Sequence, residues 1–255
     1  MRAPRLTRWT VAAAAALLLL PAVATAQGRE TETVDRTVPF PSNGTLELKN
    51  FSGRVRITGT SGNEVVIHAV RRARREQLDR IKLTIDTSGS VVHINANDRQ
   101  ERPRNDRDNV VETEFEIRLP ASARLDVNAF SSDVTVTGVT GRQVLQTFSG
   151  EITVEGASGP LDVETFSGGL DVDLRGAGAA PEIDAETFSG DIRLRLADNA
   201  SGRVDFDSFS GSFESELPIT LRSSSRRRVS GALPGGEGGR TVKVHTFSGS
   251  VRIVK

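Results

Sequence analysis

Over most of the chain, apolar and polar residues alternate strictly in short runs. Leu46 and Leu48, Leu125 and Val127, Leu161 and Val163, Ile183 and Ala185, Val204 and Phe206, and Val242 and Val244 form one set of alternating pairs. A second set follows across a small turn: Val55 and Ile57, Val134 and Val136, Ile152 and Val154, Leu170 and Val172, Ile192 and Leu194, Val251 and Ile253. A period of two with one apolar face predicts half-buried β-strands throughout.

The turn between the paired strands repeats as well. Phe-Ser-Gly occurs at Phe51, Phe148, Phe166, Phe188, Phe209 and Phe247, with Phe-Ser-Ser at Phe130. From Phe130 onward the steps are 18, 18, 22, 21 and 38 residues. The last step divides if Val229-Ser230-Gly231-Ala232-Leu233 is a degenerate copy. Each unit reads strand, Phe-Ser-Gly turn, strand, then a second glycine turn such as Gly138, Gly156 or Gly176. Two strands in about 20 residues is one coil of a solenoid, although hairpins of a sandwich share the local pattern. Outward residues favour parallel stacking. Asp171, Arg193 and Glu214 fall in one column, Asp173, Arg195 and Glu216 in the next, and both alternate in sign as in-register neighbours should.

The predicted fold is therefore all-β, a β-solenoid or β-helix-like stack of two-strand coils over 122–255. An irregular β region over 27–121 precedes it and supplies a cap and any early coils. Strands are expected at Thr45–Lys49, Glu64–Val70, Ile81–Asp86, Val91–Asn95 and Val111–Leu119. Arg71–Arg75 and Asn97–Asn109 read as exposed loops or a short helix. Thr87-Ser88-Gly89 hints at an early coil.

Residues 1–26 read as an export signal: Arg2, Arg5 and Arg8, then the apolar run Val11–Leu20, then Ala24-Thr25-Ala26 before a cut at Gln27. The run is too short to span a bilayer, and no later window approaches the required length. The expected product is periplasmic, surface-bound or secreted, without an integral span. The chain has no cysteine, which excludes disulfides, thiolate metal sites and a cysteine nucleophile. With 33 basic and 33 acidic residues, it has no global field for nucleic acid.

The repeated residues are the first candidates for function. Stacked coils would set Phe51, Phe130, Phe148, Phe166, Phe188, Phe209 and Phe247 in a ladder, either exposed and gripping sugars or plugging a corner of the core. Large exposed apolar stripes are rare on soluble proteins, so the buried position is expected. Gly150, Gly168, Gly190, Gly211 and Gly249 read as turn residues. Before the turn, Asp162 and Glu164, Asp184 and Glu186, and Asp205 and Asp207 would stack six carboxylates on three successive rungs. Either Ca²⁺ or a basic partner relieves their repulsion, or they form a solvated face.

Catalytic patterns are scarce. His68, His93 and His245 lack any metal-peptidase spacing, and there is no nucleophile elbow, P-loop or dinucleotide fingerprint. Gly235–Arg240 resembles a calcium nonapeptide but places arginine where aspartate is needed. The run Arg71–Arg75 could meet anionic envelope polymer or headgroups, or be a solvated loop. Asn43-Gly44-Thr45 and Asn199-Ala200-Ser201 match the glycosylation sequon.

The export signal, the stretch Phe115-Glu116-Ile117-Arg118-Leu119-Pro120 and the serial strand–Ser-Gly–strand units resemble the bacterial "putative adhesin" β-strand-repeat family, over about Val38 to Lys255. The resemblance implies a solenoid-like extracytoplasmic protein and brings no catalytic residues. The expected function is a non-enzymatic binding or scaffolding protein at the cell envelope, with envelope polysaccharide or a surface protein as partner. Two alternatives stand beside it. One is a polysaccharide lyase or hydrolase on a β-helix. The other is self-assembly through the terminal strand Val251–Lys255.

Overall fold

The computed structural model describes residues 28–99, 110–176, 181–225, 227–236 and 240–255; residues 1–26, expected to be an export signal, lie outside them. The N-terminal part contains β1 (Arg29–Pro39), β2 (Thr45–Thr60), β3 (Glu64–Arg74), helix α1 (Arg75–Arg80), β4 (Ile81–Ser88), β5 (Val91–Arg99) and β6 (Glu112–Pro120). The coils follow as β7 (Arg124–Thr137), β8 (Gln143–Ser149), β9 (Ile152–Glu155), β10 (Leu161–Ser167), β11 (Leu170–Asp173), β12 (Ile183–Ser189) and β13 (Ile192–Arg195). The C-terminal part holds β14 (Arg203–Ser208), β15 (Ser212–Ser215), β16 (Thr220–Ser224), β17 (Arg228–Ala232), β18 (Thr241–Ser248) and β19 (Ser250–Val254). Of the polar run expected to be a loop or short helix, Asn97 to Arg99 continue β5, and 100–109 lie outside the described residues.

Each coil gives its first strand to one face and its second to the other. The first face runs β4-β5-β2-β7-β8-β10-β12-β18-β14-β17-β16, parallel from β5 to β14 and closed at each end by antiparallel strands. The second runs β1-β3-β6-β2-β7-β9-β11-β13-β19-β15. The long strands β2 and β7 pass through the corner and belong to both faces, so hydrogen bonding joins all nineteen strands. The alternating residues picked out above, from Leu46 to Ile253, are buried in one core shared by both parts of the chain. At one rung Gln143 takes the apolar position, fully buried, with its amide nitrogen donating to the Val139 carbonyl at 2.8 Å.

Rung order departs from chain order at both ends. β5 and β6 lie outside β2, although β7 follows them in sequence. At the other end the last coil, β18–β19, is inserted between β12–β13 and β14–β15. Two expectations are corrected as a result. Val229–Leu233 is no degenerate coil, because β17 pairs antiparallel with β14 and β16. Thr87-Ser88-Gly89 begins no coil either; it leads into the tight turn between antiparallel β4 and β5.

The terminal strand β19 is also interior, flanked by β13 and β15. The open strand at that end is β15, only four residues long and carrying Glu214, a short charged edge of the kind that discourages pairing.

Candidate functional site

The Phe-Ser-Gly corner is built rung upon rung. In the residue before each phenylalanine, alternation points the side chain inward. Thr147, Thr165 and Thr187 are buried there and their hydroxyls donate at 3.4 Å to the carbonyls of Ser132, Gly150 and Gly168, one rung back. In β2 Asn50 takes this place, its amide donating to the Thr113 carbonyl and to Ser132 Oγ at 3.1 Å. The glycine two residues after the phenylalanine lies against the neighbouring backbone. A Cβ on Gly168 would stand 2.0 Å from the Gly150 oxygen, and one on Gly190 2.0 Å from the Gly168 oxygen. Close approach of backbones, more than turn conformation, is what requires glycine here.

The same alternation turns each phenylalanine outward, and the seven rings stack as one ladder. Centroids are 4.8 Å apart from Phe51 to Phe130, 4.9 Å from Phe130 to Phe148 and from Phe148 to Phe166, and 4.8 Å from Phe166 to Phe188. Phe247 then sits 4.6 Å from Phe188 and 4.7 Å from Phe209. Interplanar angles run from 2° to 12°. The Arg227 guanidinium lies over the outer Phe209 ring, 4.9 Å from its centroid.

The expectation of buried rings is overturned: all but Phe51 are 44–55% exposed. Stacking takes the ring faces out of water and leaves the edges in it. An exposed row that grips sugars by ring faces does not fit either, because sugars stack on faces and those of the inner rings are occupied.

Along the same outward face, two residues before the rings, runs the column Lys49, Asn128, Gln146, Glu164, Glu186, His245, Asp207. The six predicted carboxylates do not lie on three successive rungs. Asp162 and Asp184, and Glu164 and Glu186, are direct neighbours. Lys243 and His245 of the inserted coil then separate them from Asp205 and Asp207. Asp207 accepts from Arg228 at 2.8 Å, Asp205 from the Ser230 hydroxyl at 2.6 Å, and Glu164 from Gln146 at 3.0 Å. Among the described residues no three His, Asp or Glu side chains converge as a metal site, so these residues give Ca²⁺ no ready-made cage.

On the second face the charge column is Asp171, Arg193, Arg252, Glu214, which does not alternate as expected. Its ion pairs are diagonal or across the new neighbour: Arg195 donates to Asp171, at 3.0 Å for one of its two bonds, and Arg252 to Glu214 at 2.9 Å. Arg175, bonded to Asp173, holds that carboxyl below its ordinary range.

The basic run is not an exposed loop. Arg71 to Arg74 continue β3, and Arg71 is buried, donating to Glu32 and the Ile81 carbonyl. Arg72 pairs with Glu114 at 2.8 Å, whose carboxyl it lowers, and Arg75 with Asp79 at 3.1 Å. Acids thus answer the charges that an anionic polymer would need. His68 bonds Asp35 at 2.7 Å and His93 bonds Glu47 at 2.9 Å, on separate strands. Among the described residues no helix is long and apolar enough to cross a membrane.

Residues 26–254 match the model of the Toastrack DUF4097 family. No curated protein matches the chain. Among solved structures, a "putative cell adhesion protein" from Clostridium sporogenes superposes with a TM-score of 0.55 at 11% identity, covering 88% of this chain and 99% of its own. A "putative adhesin" from Bacteroides fragilis follows with a TM-score of 0.40 at 10% identity, covering 88% and 97%. The first likeness shows a shared fold. With the repeat, the parallel two-faced stack and a family match over almost the whole chain, the protein belongs to the Toastrack DUF4097 family.

Proposed function

We propose that the protein is an exported, non-catalytic binding or scaffolding module of the cell envelope, and that the phenylalanine ladder is its contact surface. The ladder carries this reading. Seven stacked rings at these spacings make a rail about 29 Å long, with about 600 Å² of exposed ring surface at half-exposure. That is at the upper limit of what soluble monomers leave bare, and such patches are commonly interaction sites. Export is supported by the basic, apolar and small-residue segments over residues 1–26. The cell-adhesion name of the Clostridium sporogenes neighbour agrees with an outward-facing role.

Catalysis has weaker support. Among the described residues the shifted carboxyls, Glu114 and Asp173, are each held by an arginine in an ion pair, as structural acids are. Co-sedimentation with isolated envelope tests the reading, with sugar ends assayed in the same tube. The protein without residues 1–26 is expected to pellet, Phe166→Ser/Phe188→Ser to lose about tenfold in apparent affinity, and no new sugar ends to appear. Equal pelleting of the variant would remove the ladder from the site. Released product would make the protein an enzyme.

A further inference from the structure

The rail also restricts the chemistry of its partner. Small-molecule sites enclose most of their ligand in a concave pocket, whereas this surface is a straight ridge of ring edges open along its length. Its occupant is accordingly a chain. Polysaccharide is disfavoured because every inner ring has both faces against its neighbours.

Anionic polymers are disfavoured by charge. Glu164 and Glu186 stand one side-chain position from the rings, about 7 Å along the strand, with Asp162 and Asp184 behind them. Among the described residues no hydrogen bond or ion pair holds the Asp184 or Glu186 carboxylate, although Lys243 and His245 are their register neighbours on the inserted coil. Ring edges carry the positive end of the aromatic quadrupole, so a cation settles on the carboxylates while apolar groups settle on the rings.

Resting on the ladder as contact surface, we infer that the rail binds a basic amphipathic polypeptide segment lying along the stack axis. Its apolar side chains cover Phe148, Phe166 and Phe188, and its lysines or arginines reach Glu164 and Glu186. A helix suits this geometry. Its apolar stripe repeats every 5.4 Å or so, near the 4.8 Å rung spacing, and about 19 residues span the 29 Å rail. A helix about 10 Å wide covers both the ring column and the carboxylate column.

The probe is a labelled 18-residue peptide with leucine at helical i, i+3, i+4, i+7 positions and lysine elsewhere. It is compared with the same peptide carrying glutamate for lysine, and with cellohexaose. Anisotropy is read at low and physiological salt. The lysine peptide is expected to bind, and the glutamate peptide and cellohexaose to bind at least about tenfold more weakly. Phe166→Ser/Phe188→Ser loses about tenfold. Glu164→Gln/Glu186→Gln loses up to about tenfold at low salt, the loss expected for two exposed ion pairs, and has a flatter salt dependence. The glutamine pair alters only outward side chains, so it decides the matter even if the serine pair folds poorly.

Equal binding of the two peptides, an unchanged affinity in the glutamine pair, or preference for cellohexaose would overturn the inference. If no peptide binds while envelope pelleting still depends on Phe166 and Phe188, the partner chemistry is wrong and the contact surface stands. If pelleting is also independent of the rings, both readings fall.

Discussion

Gly190→Ala is expected to destabilise the protein by about 3 kcal/mol, a large effect for one methyl group. The added carbon would lie 2.0 Å from the Gly168 oxygen and 2.7 Å from its carbonyl carbon, so backbone rather than a flexible side chain must move. It cannot move freely. The Gly168 amide donates to the Ser189 carbonyl at 3.2 Å and the Gly190 amide to the Ser248 carbonyl at 3.3 Å, which fixes the rung spacing on both sides. Displacing one corner therefore disturbs two interfaces of the stack. Gly176→Ala is the control, because among the described residues nothing lies within 4 Å of the place its methyl group would take, and its effect should stay within about 0.5 kcal/mol. Urea unfolding of the parent protein and the two variants measures both effects. A Gly190→Ala midpoint equal to that of Gly176→Ala would mean the corner is looser than described.

Ile253→Pro is expected to cost at least about 3 kcal/mol and to loosen two coils together. Ile253 is fully buried in β19, an interior strand between β13 and β15, and its carbonyl accepts the Glu216 amide at 2.9 Å. Proline cannot donate to the ladder and is tolerated in sheets chiefly at edges. Because the last coil is wedged between two earlier ones, its loss removes a partner from β12–β13 and from β14–β15 alike. Amide exchange should accelerate in all four strands. A variant of normal stability that merely associates less would instead place Ile253 on an exposed edge.

Much of the fold is legible in the chain. Leu161, Val163, Leu170 and Val172 show how: alternation fixes the buried face, the Phe-Ser-Gly turn fixes the corner, and similar spacing fixes parallel register. The order of the end rungs is not legible in this way. Every coil offers its neighbour nearly the same apolar pattern, so Val204 and Phe206 could follow Ile183 and Ala185 as readily as Val242 and Val244 do. The charges distinguish them, since direct stacking would set Asp205 against Asp184 and Asp207 against Glu186. Inserting Lys243 and His245 relieves that contact.

The site is half visible in the sequence. Alternation points Phe166 and its equivalents outward, while the rarity of bare apolar stripes favours burial. The rings escape that rule because stacking shields their faces and leaves only the edges wet. Arg71 is hidden for a different reason. Its partners, Glu32 and the Ile81 carbonyl, come from β1 and from the start of β4, and a pairing between separate strands leaves no local signal.

In the ladder Phe247 lies between Phe188 and Phe209, so the last coil sits between two earlier ones. The cysteine-free chain allows a direct test by paired substitutions. Glu186→Cys/His245→Cys places the thiols on adjacent rungs, about 4.8 Å apart at Cα and within disulfide reach; Glu186→Cys/Asp207→Cys separates them by two rungs, about 9.6 Å, beyond it. Under mild oxidation the first pair is expected to close rapidly within one chain and the second to stay reduced. Rapid closure of the second pair, with the first left open, would put the coils in chain order and contradict the inserted last coil.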